Sequence, residues 1–130
     1  MDGRGRKITS FPDIVNKILA IDGAMRHVGI IDNKGKIILS KMKENKIALH
    51  DTEQKARISY DLFLLKQMFD VFDGTLGKTS MIHLVREKIH LLIFYISYGL
   101  IYVTCEPNME PYKVTEISIK IQEIISKDIY

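Results

Sequence analysis

Apolar residues run almost without a break from Ile89 to Cys105 (IHLLIFYISYGLIYVTC), interrupted only by Ser97-Tyr98-Gly99. A run with no polar alternation needs cover on both faces, and Ile, Tyr, Phe and Val favour extended chain, so the stretch predicts two central strands joined by a tight turn, with helices on both sides of the sheet. A membrane span needs about 20 predominantly apolar residues. This run is shorter, contains His90, Ser97 and Gly99, and is bounded by Arg86-Glu87-Lys88 and Glu106-Pro107, which favours a buried core.

The pattern elsewhere supplies the cover. Ser10, Pro12 and Asp13 form a helix opening, Phe11, Ile14, Ile18 and Ile21 recur at helical spacing, and Gly23 stops a first helix over about 11–21. The segments 27–31 and 36–40 flank Asp32-Asn33-Lys34-Gly35 as a hairpin, its second arm leading into the lysine-rich 41–46 as a charge-protected sheet edge would. Asp51-Thr52-Glu53-Gln54 is a capping-box signature, and no Gly or Pro follows until Gly74, which predicts a long second helix. It carries two apolar stripes, one of Ala56, Tyr60, Phe63, Leu64 and Val71, the other of Ile58, Leu62, Leu65, Phe69 and Phe72, with Lys55, Ser59, Lys66 and Asp70 as a polar strip between them. Only one stripe can meet the sheet. Segment 80–85 reads as the third strand of the chain, turning at 86–88 into the central pair, and the tail from Tyr112 has Val114, Ile117, Ile121, Ile124 and Ile125 at helical spacing. A strand competes there, because residues 117–121 also alternate with period two; length decides for helix.

At 130 residues the chain fits one domain, 10–130, preceded by a basic arm, 1–9, with no large apolar group near its start to anchor it. With 46% hydrophobic and 27% charged residues the composition is that of an ordinary soluble globular protein, and the basic start does not read as a secretory signal. The single cysteine, Cys105, lies inside an apolar run and fits a reducing cytoplasm.

The order helix, hairpin, long helix, three antiparallel strands, helix resembles that of the roadblock and dynein light chain domains, within the wider profilin-like set. More closely, IDGAMRHVGIIDNKG at 21–35, Asp51-Thr52-Glu53, Leu76-Gly77-Lys78, Glu87-Lys88-Ile89 and Val103-Thr104-Cys105-Glu106 are similar to the pattern of a family of small uncharacterised archaeal proteins, thaumarchaeal in type, with that fold. The chain departs from that pattern in having Val85 and Arg86 where a tyrosine precedes Glu87, and in its longer basic arm. The resemblance implies an α+β fold with a five-stranded antiparallel sheet in the order 2-1-5-4-3, the first and third helices on one face and the second on the other. It also implies a small homodimeric adaptor or regulator of GTPases or motors, with a two-fold interface built from the second helix and the third strand. Ile58, Leu62, Leu65, Phe69, Phe72, Met81 and His83 are the candidate interface residues, although the sequence leaves open which stripe faces outward.

Catalytic chemistry finds little to work with. Gly74-Thr75-Leu76-Gly77-Lys78-Thr79 mimics only the end of a phosphate-binding loop and precedes a strand, whereas such a loop must open a helix. The histidines His27, His50, His83 and His90 have no ligand spacing; His83 and His90 are placed to sit opposite each other across the turn at 86–88, as a pH-sensitive or metal pair with no third ligand. Asp32 with Asp51, and Glu106 with Glu110, read as turn, cap and loop carboxylates. No enzyme, cofactor, metal centre or membrane association is expected. A net charge of +3 is modest, but Arg4, Arg6, Lys7, Lys34, Lys36, Lys41, Lys43 and Lys46 concentrate one sign. The leading expectation is a non-catalytic cytoplasmic interaction module, homodimeric, serving a protein partner such as a small GTPase. A nucleic-acid-binding accessory using those basic residues, and a small-ligand sensor with a cavity between sheet and helix, are the alternatives.

Overall fold

The computed structural model describes residues 10–49 and 51–129, and its centre is the apolar run. Strands β4 (His90–Ile96) and β5 (Gly99–Cys105) pair through a two-residue turn, closed by Gly99 at φ +148°. A Cβ at Gly99 would strike the Ile31 carbonyl, so the turn requires glycine. Before them come β1 (Met25–Asp32), β2 (Ile37–Met42) and β3 (Met81–Val85), and the sheet order is β2-β1-β5-β4-β3, antiparallel throughout. This is the expected α+β architecture, with β2 and β3 as the two edges.

Helices α1 (Phe11–Leu19) and α4 (Pro111–Asp128) cover one face. Ser10 caps α1 from the chain position the sequence indicates, and Ile14, Val15, Ile18 and Leu19 meet Val28, Ile30, Phe94, Ile101 and Val103. The tail is a helix because Ile117, Ile121 and Ile125 are buried on one line while Ile119 is exposed; a strand would have put Ile119 with Ile117 and Ile121. The ion pairs Lys17–Asp128 (2.8 Å) and Lys113–Asp22 (2.9 Å) tie the α1 region to α4.

The other face carries α2 (Thr52–Asp70), opened by the expected capping box: Asp51 accepts from the Gln54 N–H (2.8 Å) and the Gln54 side chain accepts from the Asp51 N–H (3.1 Å). The helix ends before Gly74, and a one-turn helix not foreseen in the sequence, α3 (Asp73–Leu76), follows it. Both segments of the apolar run are thus buried on both faces, with Tyr95 and Thr104 the two partly exposed positions of β4 and β5.

Candidate interaction surface

Tyr102 and Tyr95 of the central strands decide how α2 sits. Both rings rise on the α2 face of the sheet; the Tyr102 hydroxyl is bonded there, whereas the Tyr95 hydroxyl is buried with no hydrogen-bond partner among the described residues. The Tyr102 hydroxyl bonds Ser59, whose own hydroxyl donates to the Lys55 carbonyl (2.9 Å); burial pushes the phenol above its ordinary range, and the Ser59 bond opposes that rise. Tyr95 lies under Lys66, whose Nζ is 5.1 Å from the ring centroid and bonds Asp70 at 2.7 Å. Burial, with the charges of Asp70 and Asp73, pushes Tyr95 up to about 12.

The polar strip Lys55, Ser59, Lys66 and Asp70 therefore turns toward the sheet, sharing that side with Ile58, Leu62 and Leu65. Of the described α2 side chains only Ser59 and Leu62 are buried. Three candidate interface residues, Ile58, Leu62 and Leu65, accordingly pack on the chain's own core against residues such as Ile31, Ile93 and Tyr102. Phe69 and Phe72, from the same stripe, stay exposed, because Lys66, Asp70 and Asp73 occupy the sheet side at that end of the helix. Phe63 is withdrawn from the other stripe: it lies against Gly35, the left-handed residue of the β1–β2 turn.

Glu53, Gln54, Arg57, Asp61 and Gln67 of α2 face solvent, and beside them the helix shows an apolar stripe. Tyr60, Leu64, Met68 and Val71 recur at 4, 4 and 3 residues, and Phe69, Phe72 and Leu76 extend the surface into α3, with Met68 64% and Leu76 78% exposed. Met68 and Leu76 escape the sequence reading, although Met68 continues the Tyr60–Leu64 spacing. The edge strand β3 continues the side of the molecule that α2 ends on; Met81 is partly buried, His83, Leu84 and Val85 are exposed, and its five residues include neither lysine nor proline to block strand addition. At the opposite edge β2 carries Lys41 and is followed by Lys43.

Among the described residues, three of the lysines of the first hairpin region are engaged singly. Lys41 donates to Asn16 (2.8 Å), Lys43 to the Asp22 carbonyl (2.8 Å), and Lys46 pairs with Glu106 (3.6 Å), leaving Lys34 and Lys36 at the hairpin turn. Arg4, Arg6, Lys7 and His50 lie outside the described residues. The carboxylates have structural roles: Asp32 accepts from the Lys34 and Lys36 N–H groups, which lowers its pKa, Asp51 caps α2, Glu106 binds Arg26 at 2.6 Å, and Glu110 stands at the N-cap of α4. Gly77 and Lys78 follow α3 and lead into β3, with no helix for a phosphate to cap. Burial pushes the Cys105 thiol up to about 12, so it is not a nucleophile at neutral pH. A cavity of about 230 Å³ lies between β1, β2 and the start of α2, lined by Arg26, His27, Met42, Leu49, Lys55 and Thr104. It falls below the roughly 300–1,000 Å³ of small-molecule sites, and Arg26 is committed to Glu106 and the Ile47 carbonyl (both 2.6 Å). Among the described residues no helix is long and apolar enough to cross a membrane.

Solved structures share this architecture over nearly its whole length. The gliding protein MglB from Thermus thermophilus superposes with a TM-score of 0.70 at 13% identity, covering 95% of each chain. The fold is that of the roadblock domains. A roadblock/LC7 domain from Streptomyces avermitilis matches with a TM-score of 0.64 at 6% identity over 94% of this chain and 100% of that one, and Myxococcus xanthus MglB with 0.68 at 14% over 92% and 96%. No protein-family model and no curated protein sequence matches the chain. At these identities the roadblock likeness concerns the fold, and function must be argued from the surface.

Proposed function

We propose that this chain is a non-catalytic interaction module that forms a homodimer through the outer face of α2 and the edge of β3, and that the dimer serves as an adaptor for a protein partner. One observation carries the reading: α2 turns its polar strip inward to two tyrosines and its apolar stripe outward. Soluble monomers rarely expose contiguous apolar patches beyond a few hundred Å², and the outward stripe of Tyr60, Leu64 and Met68, although flanked by Arg57, Asp61 and Gln67, suits a second apolar surface. A symmetry mate provides one, because a two-fold axis beside β3 lets the two edge strands complete each other's backbone bonding while the α2 helices face each other. An MglB with a tetrameric arrangement is among the similar structures, which supports self-association for this fold. A small GTPase is the partner class that the roadblock resemblance implies, and a cytoplasmic setting goes with it.

Amide hydrogen exchange tests the edge pairing. The β3 amides that face away from β4 should exchange more slowly as protein concentration rises, in step with the outer α2 side chains becoming inaccessible. Concentration-independent exchange at β3 would overturn the pairing. Co-purification of the native protein from its own cytoplasm tests the partner: recovery of a GTPase that is lost with a charge at Phe69 supports that class, and recovery of unrelated proteins removes it.

A further inference from the structure

The hairpin of β3 and β4 holds a polar feature on the face of the sheet opposite α2. Val85 stands opposite His90, and His83 opposite Leu92, so the two histidines are diagonal neighbours and not a directly opposed pair as the turn at 86–88 suggested. Nε2 of His83 lies 2.9 Å from Nδ1 of His90, and Nε2 of His90 lies 3.1 Å from the Pro107 carbonyl. A carbonyl only accepts, so Nε2 of His90 carries the proton. Its Nδ1 then presents a lone pair, to which the Nε2–H of His83 donates.

We propose that this pair is a chelating site for a divalent d-block cation of the zinc or copper type, with Nε2 of His83 and Nδ1 of His90 as the two protein ligands. The Pro107 carbonyl does for His90 what an outer acceptor does at metal sites, fixing the tautomer and aiming the free nitrogen. On binding His83 exchanges tautomers: its Nε2 proton is lost, its Nδ1 gains one, and four of the six waters of the aqueous zinc ion leave as it becomes tetrahedral, with no net proton released. His83 is exposed, so its Nδ1–H can be met by solvent. Two nitrogens each about 2.0–2.1 Å from a tetrahedral ion stand about 3.4 Å apart, so the pair opens by about 0.5 Å, and because the two nitrogens point at each other each ring also swings by about 35° to aim at the ion. Imidazole is the ligand that suits zinc, copper and nickel, whereas calcium and magnesium require oxygen. Cys105 pairs with His90 across β4 and β5 but is buried beside Met25 with its thiol protonated, and among the described residues no group of three or more His, Cys, Asp or Glu converges on a metal position. The remaining coordination positions belong to water.

The test is a titration of the full chain with zinc chloride, followed by the imidazole proton resonances of His83 and His90. Both rings should shift together and saturate at one ion per chain with total zinc on the order of 0.1 mM, as an open site that keeps solvent ligands allows. His83→Gln should weaken binding at least tenfold while leaving the metal-free circular dichroism spectrum unchanged; His90→Ala should do the same to binding. Unmoved His83 and His90 resonances at roughly millimolar zinc, a site far weaker than any two-imidazole chelate, would overturn the proposal. So would unchanged affinity in His83→Gln, which would place the ion elsewhere.

Discussion

The ring of Tyr102 lies across the backbone of Gly29, its cross-strand partner on β1, so closely that a Cβ at position 29 would overlap it. Glycine inside a strand ordinarily weakens it, and here it makes room for the aromatic side chain that reaches Ser59 of α2. Gly29→Ala should cost about 1–3 kcal/mol by overpacking. Urea unfolding measures it, and in a Tyr102→Ala background most of the penalty should vanish, since the two sites share one space.

Phe94 is 1% exposed and sits where β4 meets both α1 and α4. Phe94→Ala should destabilise by about 3–5 kcal/mol, a large share of a typical domain's stability. A nearly neutral effect in the same unfolding assay would mean that the α1–α4 face is not the principal core.

Stability should fall on acidification. Glu106 is held below the ordinary carboxylate range first by its bond to Arg26, and Asp22 by the Ala24 N–H and then by Lys113. Groups whose folded pKa is depressed stabilise fully above their unfolded pKa, and that contribution is lost as pH falls through the folded value. Melting temperature should therefore decline below about pH 4, the unfolded range of these groups. Glu106→Gln should flatten the decline by removing one of the titrating carboxylates.

Much of this architecture is written in periodicity. The unbroken apolar run, the capping box at Asp51 and Gln54, and the Ile117, Ile121, Ile125 spacing each lead to the element observed, because the two apolar patterns record burial and the box satisfies the free N–H groups at a helix start. The candidate surface is less legible. On α2 one polar strip turns inward to Tyr95 and Tyr102 while Arg57, Asp61 and Gln67 face water, and the two tyrosines lie far away in sequence and come beneath the helix only once the sheet has formed. Ile58, Leu62 and Leu65 could be recognised as one stripe, but its direction depends on those tyrosines. The His83–His90 diagonal likewise depends on register, in which one residue's difference separates direct from diagonal neighbours.

Sedimentation equilibrium of the wild-type chain beside Met68→Glu tests the homodimer most directly. Met68 is 64% exposed on the outer stripe, so a charge there leaves the monomer's core untouched. At concentrations on the order of tens of micromolar, suitable for an interface of standard size, the wild type should sediment at twice 15.0 kDa, about 30 kDa. The variant should sediment at 15.0 kDa with an unchanged circular dichroism spectrum. A wild-type chain that remains at 15.0 kDa throughout that range would contradict the homodimer and leave the outer face of α2 to a different protein.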